Sequence, residues 1–132
     1  MRIFFDPRQL AHDPAQEFHN GGFAPHSEMP LRAESIVAAL GETETPGDHG
    51  EAPILAVHDA RYLDFLKTGP AEWKAAGRPG EAVGYVWPVR GRRPLSLSRI
   101  DARIGQYSFD AVTPLTADAW HAAYWSSQCA LS

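Results

Sequence analysis

Apolar positions along the chain form three short runs that are typical of buried strands. Residues 2–5 are apolar and aromatic and are followed by Pro7, residues 54–57 are four consecutive apolar positions, and residues 83–87 are rich in β-prone side chains. Runs that are apolar throughout are typical of parallel strands covered on both faces. The pattern therefore predicts three short strands of a parallel sheet.

Helical spacing appears first after Pro30, which suits the first position of a helix. The apolar positions from residue 33 to residue 40 recur at intervals of three and four, and Gly41 provides a stop. Asp59 is predicted to cap a second helix that reaches residue 66. Residues 70–76 are predicted to form a separate helical piece that buries Trp73 and ends at Gly77.

The last predicted helix begins at Thr116 as its N-cap and has Asp118 in its first turn. It runs to Ser132 without a glycine, proline or basic residue to end it. A parallel sheet needs several strands that alternate with helices, and three short candidates do not complete one. We expect an α/β domain that is incomplete. The alternative is a native chain that ends in a frayed helix.

Three segments have no periodicity. Residues 12–30 contain three prolines and the pair Gly21-Gly22, residues 42–50 are polar, and residues 88–99 are basic. A loop as long as 12–30 inside a compact domain is usually functional. The arginines of the basic segment are interpreted as a solvated loop or a subunit contact.

Composition narrows the classes of protein. The chain has 132 residues, a net charge of −4 and a pI near 5.8, which is unlike a nucleic-acid binder and compatible with a cationic partner. Its single cysteine, Cys129, favours a reducing compartment. No apolar run approaches the ~20 residues that span a bilayer, and the first residues do not resemble a signal peptide. We expect a cytoplasmic protein without a membrane partner.

Two residue sets suggest chemistry by themselves. His12, His19 and His26 raise a metal hypothesis, but their spacing of seven is not that of a tight ligand motif, and solvated loop histidines are the simpler interpretation. Cys129 has no local signature of a nucleophile and is interpreted as a packed helix residue. The tryptophans and Tyr124 are interpreted as core or interface residues.

An ordered series of motifs resembles the acetylpolyamine amidohydrolases, which are relatives of the histone deacetylases. Glu17 and the glycine pair precede residues 25–34, which read PHSEMPLRAE, as in the family's opening P-x-x-E-x-P-x-R-A-E stretch. Residues 57–66 read VHDARYLDFL and look like the family's V-H-D-x-x-Y-L-x-F-L segment. Further matches follow in order at 73–77, 80–82, 87–90, 104–105, 107–110 and 113–114.

The resemblance implies the arginase–deacetylase fold, a parallel sheet between helices, of which residues 1–132 are the N-terminal portion. It implies zinc as the cofactor and hydrolysis of the acetamide of acetylated polyamines by a zinc-bound water. In the family pattern the zinc ligands, the paired histidines and the catalytic tyrosine all lie beyond Ser132. The resemblance therefore implies that the catalytic and metal residues are not in this chain.

Three residues of this chain correspond to substrate-binding positions in the resemblance. Glu17 matches an acidic residue at the mouth of the family's tunnel within an entrance loop, 12–30, and His19 stands where an aromatic residue is common. Asp101 matches an acidic position on the loop before the Ile104-Gly105 pair, which faces the polyamine across a homodimer interface. Residues 78–101 would be the dimer-contact loop.

Three functions are compatible with these observations. The first is a portion of a deacetylase that is inactive by itself. The second is a non-catalytic remnant that binds or dimerises, for example through residues 78–101. The third is a small metal-binding protein that uses the histidines of residues 12–30.

Overall fold

Helices dominate the architecture, which is given by a computed structural model that describes residues 2–89, 91–92 and 97–132. A 3₁₀-helix spans Pro7–Ala11, and strands β1 (Gln16–His19) and β2 (Gly22–Pro25) follow it. The α-helices are α1 (Pro30–Leu40), α2 (Ala52–Leu55), α3 (Ala60–Ala75), α4 (Ile100–Tyr107) and α5 (Ala119–Leu131).

The segment 12–30 contains a β-hairpin, so the expectation that it lacks regular structure is wrong. β1 and β2 pair antiparallel with Phe18 opposite Phe23 and His19 opposite Gly22. The two residues between them, Asn20 and Gly21, have φ angles of 51° and 81°. An Asn-Gly pair with positive φ at both positions is the preferred two-residue hairpin turn, because its twist matches that of the strands.

The first predicted strand, residues 2–5, is reduced to one parallel bridge between Phe4 and Glu44. The N–H of Phe5 donates to the carbonyl of Glu44 at 3.0 Å, and the N–H of Glu44 donates to the carbonyl of Ile3 at 2.8 Å. The chain passes through α1 between these two partners, which is the order of a β-α-β unit. The predicted parallel sheet is thus represented, among the described residues, by this one pairing.

The other two predicted strands are wrong. Residues 54–57 lie at the end of α2 and just after it, and Val57 is 77% exposed. Periodicity does not separate a short apolar run in a strand from one in a helix, and Pro53 in the first turn favours the helix. Residues 83–87 form no strand; only Ala82 bridges, to Leu115. Here the backbone of Val86 and Trp87 passes close to Gly105 of α4, where an added Cβ would lie 1.6 Å from the carbonyl oxygen of Val86.

The two predicted helical pieces after Asp59 are one helix, α3. The Asp59 carboxylate accepts from the N–H of Arg61 and caps the helix as expected. Pro70 lies inside the helix rather than at the start of a new one, and Trp73 is buried as predicted. The Trp73 indole donates to the carbonyl of Pro79 at 3.2 Å. A buried hydrophobic cluster joins α3 to α4 and consists of Phe65, Trp73, Ala82, Ile100 and Ile104.

The segment before the last helix also differs from expectation. Helix α4 was not predicted, and α5 begins two residues later than a Thr116 cap requires, with Asp118 at the N-cap. Helix α5 packs on the 3₁₀-helix, where the Arg8 guanidinium lies 3.0 Å from the centre of a Trp125 ring. Gln128 of α5 is fully buried, and its Oε1 accepts from the His49 N–H at 2.7 Å.

The observed class is α/β, as predicted, with a small antiparallel hairpin in addition. Helix α1 is present with the predicted bounds and with Gly41 at φ 87° after its last residue. None of its residues is buried. In the described part of the chain, every helix is too short or too polar to cross a bilayer.

Candidate functional site

The hairpin holds the carboxylate of Glu17 by one of its two oxygens. Alternation along β1 places Glu17 on the face opposite Phe18. Its Oε2 accepts from the N–H and from the Oγ of Ser27, each at 3.1 Å. The Nδ1 of the buried His26 lies 3.0 Å from the same oxygen, and this contact is an ion pair when the imidazole is protonated. Only 13% of the Glu17 side chain is exposed.

These contacts favour the ionised form of the Glu17 carboxyl group. The N–H of Ser27 stabilises the ionised form most, and the Ser27 hydroxyl and His26 add to it, so the pKa of the Glu17 carboxyl lies below its ordinary value. Glu17 is therefore an anion at neutral pH. Among the described residues, no hydrogen-bond donor contacts its Oε1. The arrangement is an oriented carboxylate with one oxygen committed to the protein, which is suited to attracting a cation.

His12 connects the cluster of Glu17, His26 and Ser27 to the segment before α5. Its ring centre lies 6.4 Å from that of His26, and its Nδ1 is 3.1 Å from the Oγ1 of Thr116. Burial lowers the pKa of the His12 imidazole, and the neighbouring His26 lowers it further. Thr116, predicted as a helix cap, thus contacts a histidine 104 residues earlier in the chain. Sequence reasoning did not identify His26 or Ser27 as partners of Glu17, although both lie in the motif that follows it.

His19 lies apart from this cluster, at the end of β1 beside the turn, where it is exposed. The metal hypothesis required His12, His19 and His26 to converge. Across residues 2–89, 91–92 and 97–132, no three or more His, Cys, Asp or Glu side chains are grouped so that they could hold a metal ion. The structure does not bring the three histidines of this hypothesis together in such a group.

Asp101 lies in the first turn of α4, so its predicted position on a loop is wrong. Its Oδ2 accepts from Arg78 at 2.6 Å and from Arg99 at 3.0 Å, and 15% of its side chain is exposed. The Arg78 guanidinium is the main cause of a lowered pKa of the Asp101 carboxyl, and Arg99 adds to it. A cationic ligand would therefore compete with two arginines of the same chain. The basic segment's Arg90 and Arg93 lie outside the described residues.

An aromatic cavity of about 610 Å³ lies beside the hairpin. Its walls include five aromatic side chains, Phe18, Phe23, Trp73, Tyr85 and Trp87. Arg78 also borders it and connects it to Asp101. Glu17, His19 and Asp101 do not line this cavity. The structure therefore does not bring the three predicted substrate-binding residues together in it.

Cys129 lies in α5 and is partly buried. Burial raises the pKa of its thiol, which keeps the thiol protonated at neutral pH. Because the thiolate is the nucleophile, this environment suits a packed cysteine rather than a reactive one.

Comparison with known proteins finds similar sequences and a similar structure along nearly the whole chain. Acetylpolyamine amidohydrolase 1 of Pseudomonas aeruginosa is 38% identical over 140 aligned positions that include the whole chain. Acetylpolyamine amidohydrolase of Mycoplana ramosa is also 38% identical, over 99% of the chain. The crystal structure of acetylpolyamine aminohydrolase from Burkholderia pseudomallei superposes with a TM-score of 0.87 at 39% identity and covers 99% of the chain.

Over its whole length the chain is similar to an N-terminal portion of these acetylpolyamine amidohydrolases. It spans only 40% of the length of the Pseudomonas and Mycoplana relatives and 39% of the Burkholderia chain. No protein-family model matches the sequence. The resemblance read from the sequence motifs is thereby confirmed, and so is the expectation that the chain corresponds to an incomplete domain.

Proposed function

We propose that this chain is the N-terminal portion of a zinc-dependent deacetylase that hydrolyses acetylated polyamines or related small acetyl-amines. In that reaction water adds to the acetyl carbon, the C–N bond breaks, and acetate and a protonated amine leave. The support is homology along the whole chain to proteins named for acetylpolyamines, together with an oriented carboxylate, Glu17, at the position that the resemblance assigns to the tunnel mouth.

In the proposed function, Glu17 attracts the cationic substrate. A polyamine is cationic along its length, and an anion at the mouth of a narrow tunnel raises its local concentration. The contacts with Ser27 and His26 keep one oxygen in place, which reduces the conformational freedom lost on binding. Glu17 is the substrate-binding residue, and His26 and Ser27 position it. His19, which is exposed at the end of β1, stands where the resemblance has an aromatic residue and would alter that wall of the entrance.

The support for Asp101 as a contact to the polyamine is weaker than the support for Glu17. Its carboxylate is already paired with Arg78 and Arg99, so binding a cation there requires at least one arginine to move. We retain it as a secondary entrance residue of a homodimer in which residues 78–101 form the contact. We propose a cytoplasmic location, which the single cysteine supports.

We do not assign the zinc of the proposal to the described residues of this chain. The described residues offer no cluster of three or more ligand side chains, and zinc sites in proteins use three or four. The metal and its chemistry would belong to the part of the domain that this chain does not include. We accordingly expect the 132-residue chain alone to release no acetate from acetylputrescine, and zinc-dependent release would contradict the proposal.

A chimera tests the proposed function directly. Residues 1–132 replace the matching N-terminal segment of the Burkholderia pseudomallei enzyme, and acetate release from acetylputrescine is measured. We expect activity, and we expect Glu17→Gln to raise KM by about tenfold at low ionic strength, with a smaller effect in high salt. The kcat should change little, because the interaction is with the distant ammonium group in both ground and transition states.

Glu34→Gln is the matched control, because Glu34 is an exposed carboxylate on α1. It should leave KM unchanged. A folded chimera that hydrolyses no acetylated amine would refute the deacetylase proposal. Equal KM values for Glu17→Gln and Glu34→Gln would refute the role of Glu17 while leaving the activity intact.

A further inference from the structure

The aromatic cavity beside the hairpin is lined by rings from two separate parts of the chain. Phe18 and Phe23 belong to the hairpin, where they stand opposite each other on β1 and β2. Trp73, near the end of α3, contributes to the lining together with Tyr85 and Trp87, which follow it in the chain. The cavity therefore exists only when the hairpin and the segment after α3 are folded against each other.

The rings within each part are arranged edge to face. The ring centres of Phe18 and Phe23 lie 5.4 Å apart with their planes at 72°. Those of Trp73 and Tyr85 lie 6.5 Å apart at 69°. Both are preferred geometries of aromatic pairs, because the positive edge of one ring meets the negative face of the other. The positions of the rings are thus set by one another before any ligand enters.

Several of these rings remain open to solvent. Phe23 is 68% exposed, Tyr85 is 52% exposed and Trp87 is 40% exposed. A contiguous exposed apolar patch on a folded protein usually marks a binding site. The volume of about 610 Å³ lies within the range of small-molecule sites, which are concave and lined mainly by aromatic and apolar side chains.

The charged groups at the cavity favour an uncharged ligand. Arg78 and Glu81 both line it, and their charges are opposite. The Arg78 guanidinium is paired with Asp101 at 2.6 Å, and the Oε1 of Glu81 accepts from the N–H of Ala15 at 3.1 Å. An anion would compete with Asp101 for Arg78, and a cation would be repelled by the same guanidinium. A neutral molecule disturbs neither contact.

We propose that this cavity is a binding site for a small, planar, uncharged aromatic molecule. The ligand packs against the rings of Phe18, Phe23 and Tyr85, and it holds the hairpin against the segment after α3. The proposal does not depend on deacetylase activity or on Glu17, because Glu17 lies on the other face of β1 and does not line the cavity.

Calorimetric titration with indole, which is planar, aromatic and uncharged, tests the proposal. It is run on the 132-residue chain and on the chimera, and the chimera decides, because its residues 1–132 lie in a complete domain. We expect binding at one site. Phe23→Ala should weaken it by about tenfold, because a ring of the lining is lost, while the fold should survive since Phe23 is largely exposed. Tyr85→Leu removes a ring from the other part of the lining and should also weaken binding.

Phe109→Ala is the matched control for Phe23→Ala. Phe109 is 94% exposed and does not line the cavity, so the affinity for indole should be unchanged. Circular dichroism of each variant verifies that it is folded. Tetramethylammonium is the matched probe for charge, because aromatic cages bind such cations. It should bind more weakly than indole.

Equal affinities of Phe23→Ala and Phe109→Ala for indole would overturn the proposal. A folded chimera that does not bind indole would also overturn it, because the rest of the domain would then occupy the cavity. Tighter binding of tetramethylammonium than of indole would contradict the proposed class of ligand. A dimer that Phe23→Ala converts to a monomer would overturn the proposal as well, since a second copy would fill the cavity. A chimera that binds indole but hydrolyses no acetylated amine would refute the deacetylase function and leave this inference standing.

Discussion

The Nδ1 of His26 lies 3.0 Å from the Oε2 of Glu17, and both side chains are largely buried. Glu17 lies on β1, and His26 follows β2 directly. The residue after the second strand therefore contacts the acidic residue of the first strand. The adjacent Ser27 adds two hydrogen bonds to the same oxygen. The hydrogen bonds to the proposed substrate-binding carboxylate thus come from the residues that immediately follow the hairpin.

Ser27→Ala should raise the pKa of Glu17 part of the way back to its ordinary value. The substitution removes the hydroxyl donor and keeps the backbone N–H, which is the larger cause of the lowered pKa. A carbon-13 NMR titration of the glutamate carboxyls measures this. In Ser35→Ala the lost hydroxyl donates to the carbonyl of Leu31 rather than to a carboxylate, so the pKa of Glu17 should be unchanged. An unaltered Glu17 titration in Ser27→Ala would contradict the assignment.

Gly105→Ala should destabilise the chain although alanine is the better helix former. An ideal Cβ at residue 105 would lie 1.6 Å from the carbonyl oxygen of Val86, which is backbone and cannot rotate away. The helix propensity gained is about 1 kcal/mol, whereas overpacking costs typically 1–3 kcal/mol and more against a fixed backbone. We expect a net loss of about 2 kcal/mol, measured by urea unfolding of the chimera, with and without the substitution, followed by circular dichroism.

Gly22→Ala is the control for this prediction. No atom lies within 4 Å of the Cβ position at residue 22, and the backbone there does not have positive φ. Its effect should be within about 0.5 kcal/mol. If both substitutions were equally mild, the close crossing of residues 86–87 over α4 would be wrong.

Asp59 should stabilise the start of α3 in a way that depends on acid pH. Hydrogen bonds from Arg61 lower the pKa of the Asp59 carboxyl from 3.8 to about 2. Because the folded pKa is the lower one, the contribution is fully present above the unfolded value and is lost as pH falls through about 2. Thermal unfolding of Asp59→Ala should therefore differ from that of the parent at pH 6 and converge with it toward pH 2.

Asp59→Asn separates the cap from the charge. Asparagine caps helices nearly as well as aspartate, so this variant should retain much of the stability at pH 6 but lose the acid dependence. An acid-dependent difference that persists in Asp59→Asn would assign the effect to another carboxylate.

Local signals predicted the helices better than the strands. Pro30 and Gly41 mark the ends of α1, and Asp59 marks the start of α3, because caps depend on a few neighbouring residues. Strands depend on partners that are distant in the chain. The apolar run at residues 54–57 therefore does not distinguish a strand from the helix that it helps to form, whereas the Asn20-Gly21 pair is a local signal of the hairpin turn.

The site was predictable only through family resemblance. Glu17 by itself is one acid among sixteen Asp and Glu residues, and composition does not distinguish it. Its partners, His26 and Ser27, lie nine and ten residues away and meet it only because the hairpin folds back. The pairing of Asp101 with Arg78 spans 23 residues and joins α4 to the segment after α3, which no periodicity indicates.

The 132-residue chain should unfold without a sharp cooperative transition. The buried cluster around Phe65, which joins α3 to α4, is small, while Ile36 and Leu40 remain about half exposed on α1. Burial of apolar area is the main source of stability, at roughly 25 cal/mol per Å², and an uncovered helix contributes little of it. Differential scanning calorimetry should show a broad transition for the chain and a sharper one for the chimera, where α1 would be covered. A sharp transition in a chain shown to be monomeric by sedimentation would mean that the cluster around Phe65 is sufficient to hold the fold and that α1 needs no cover.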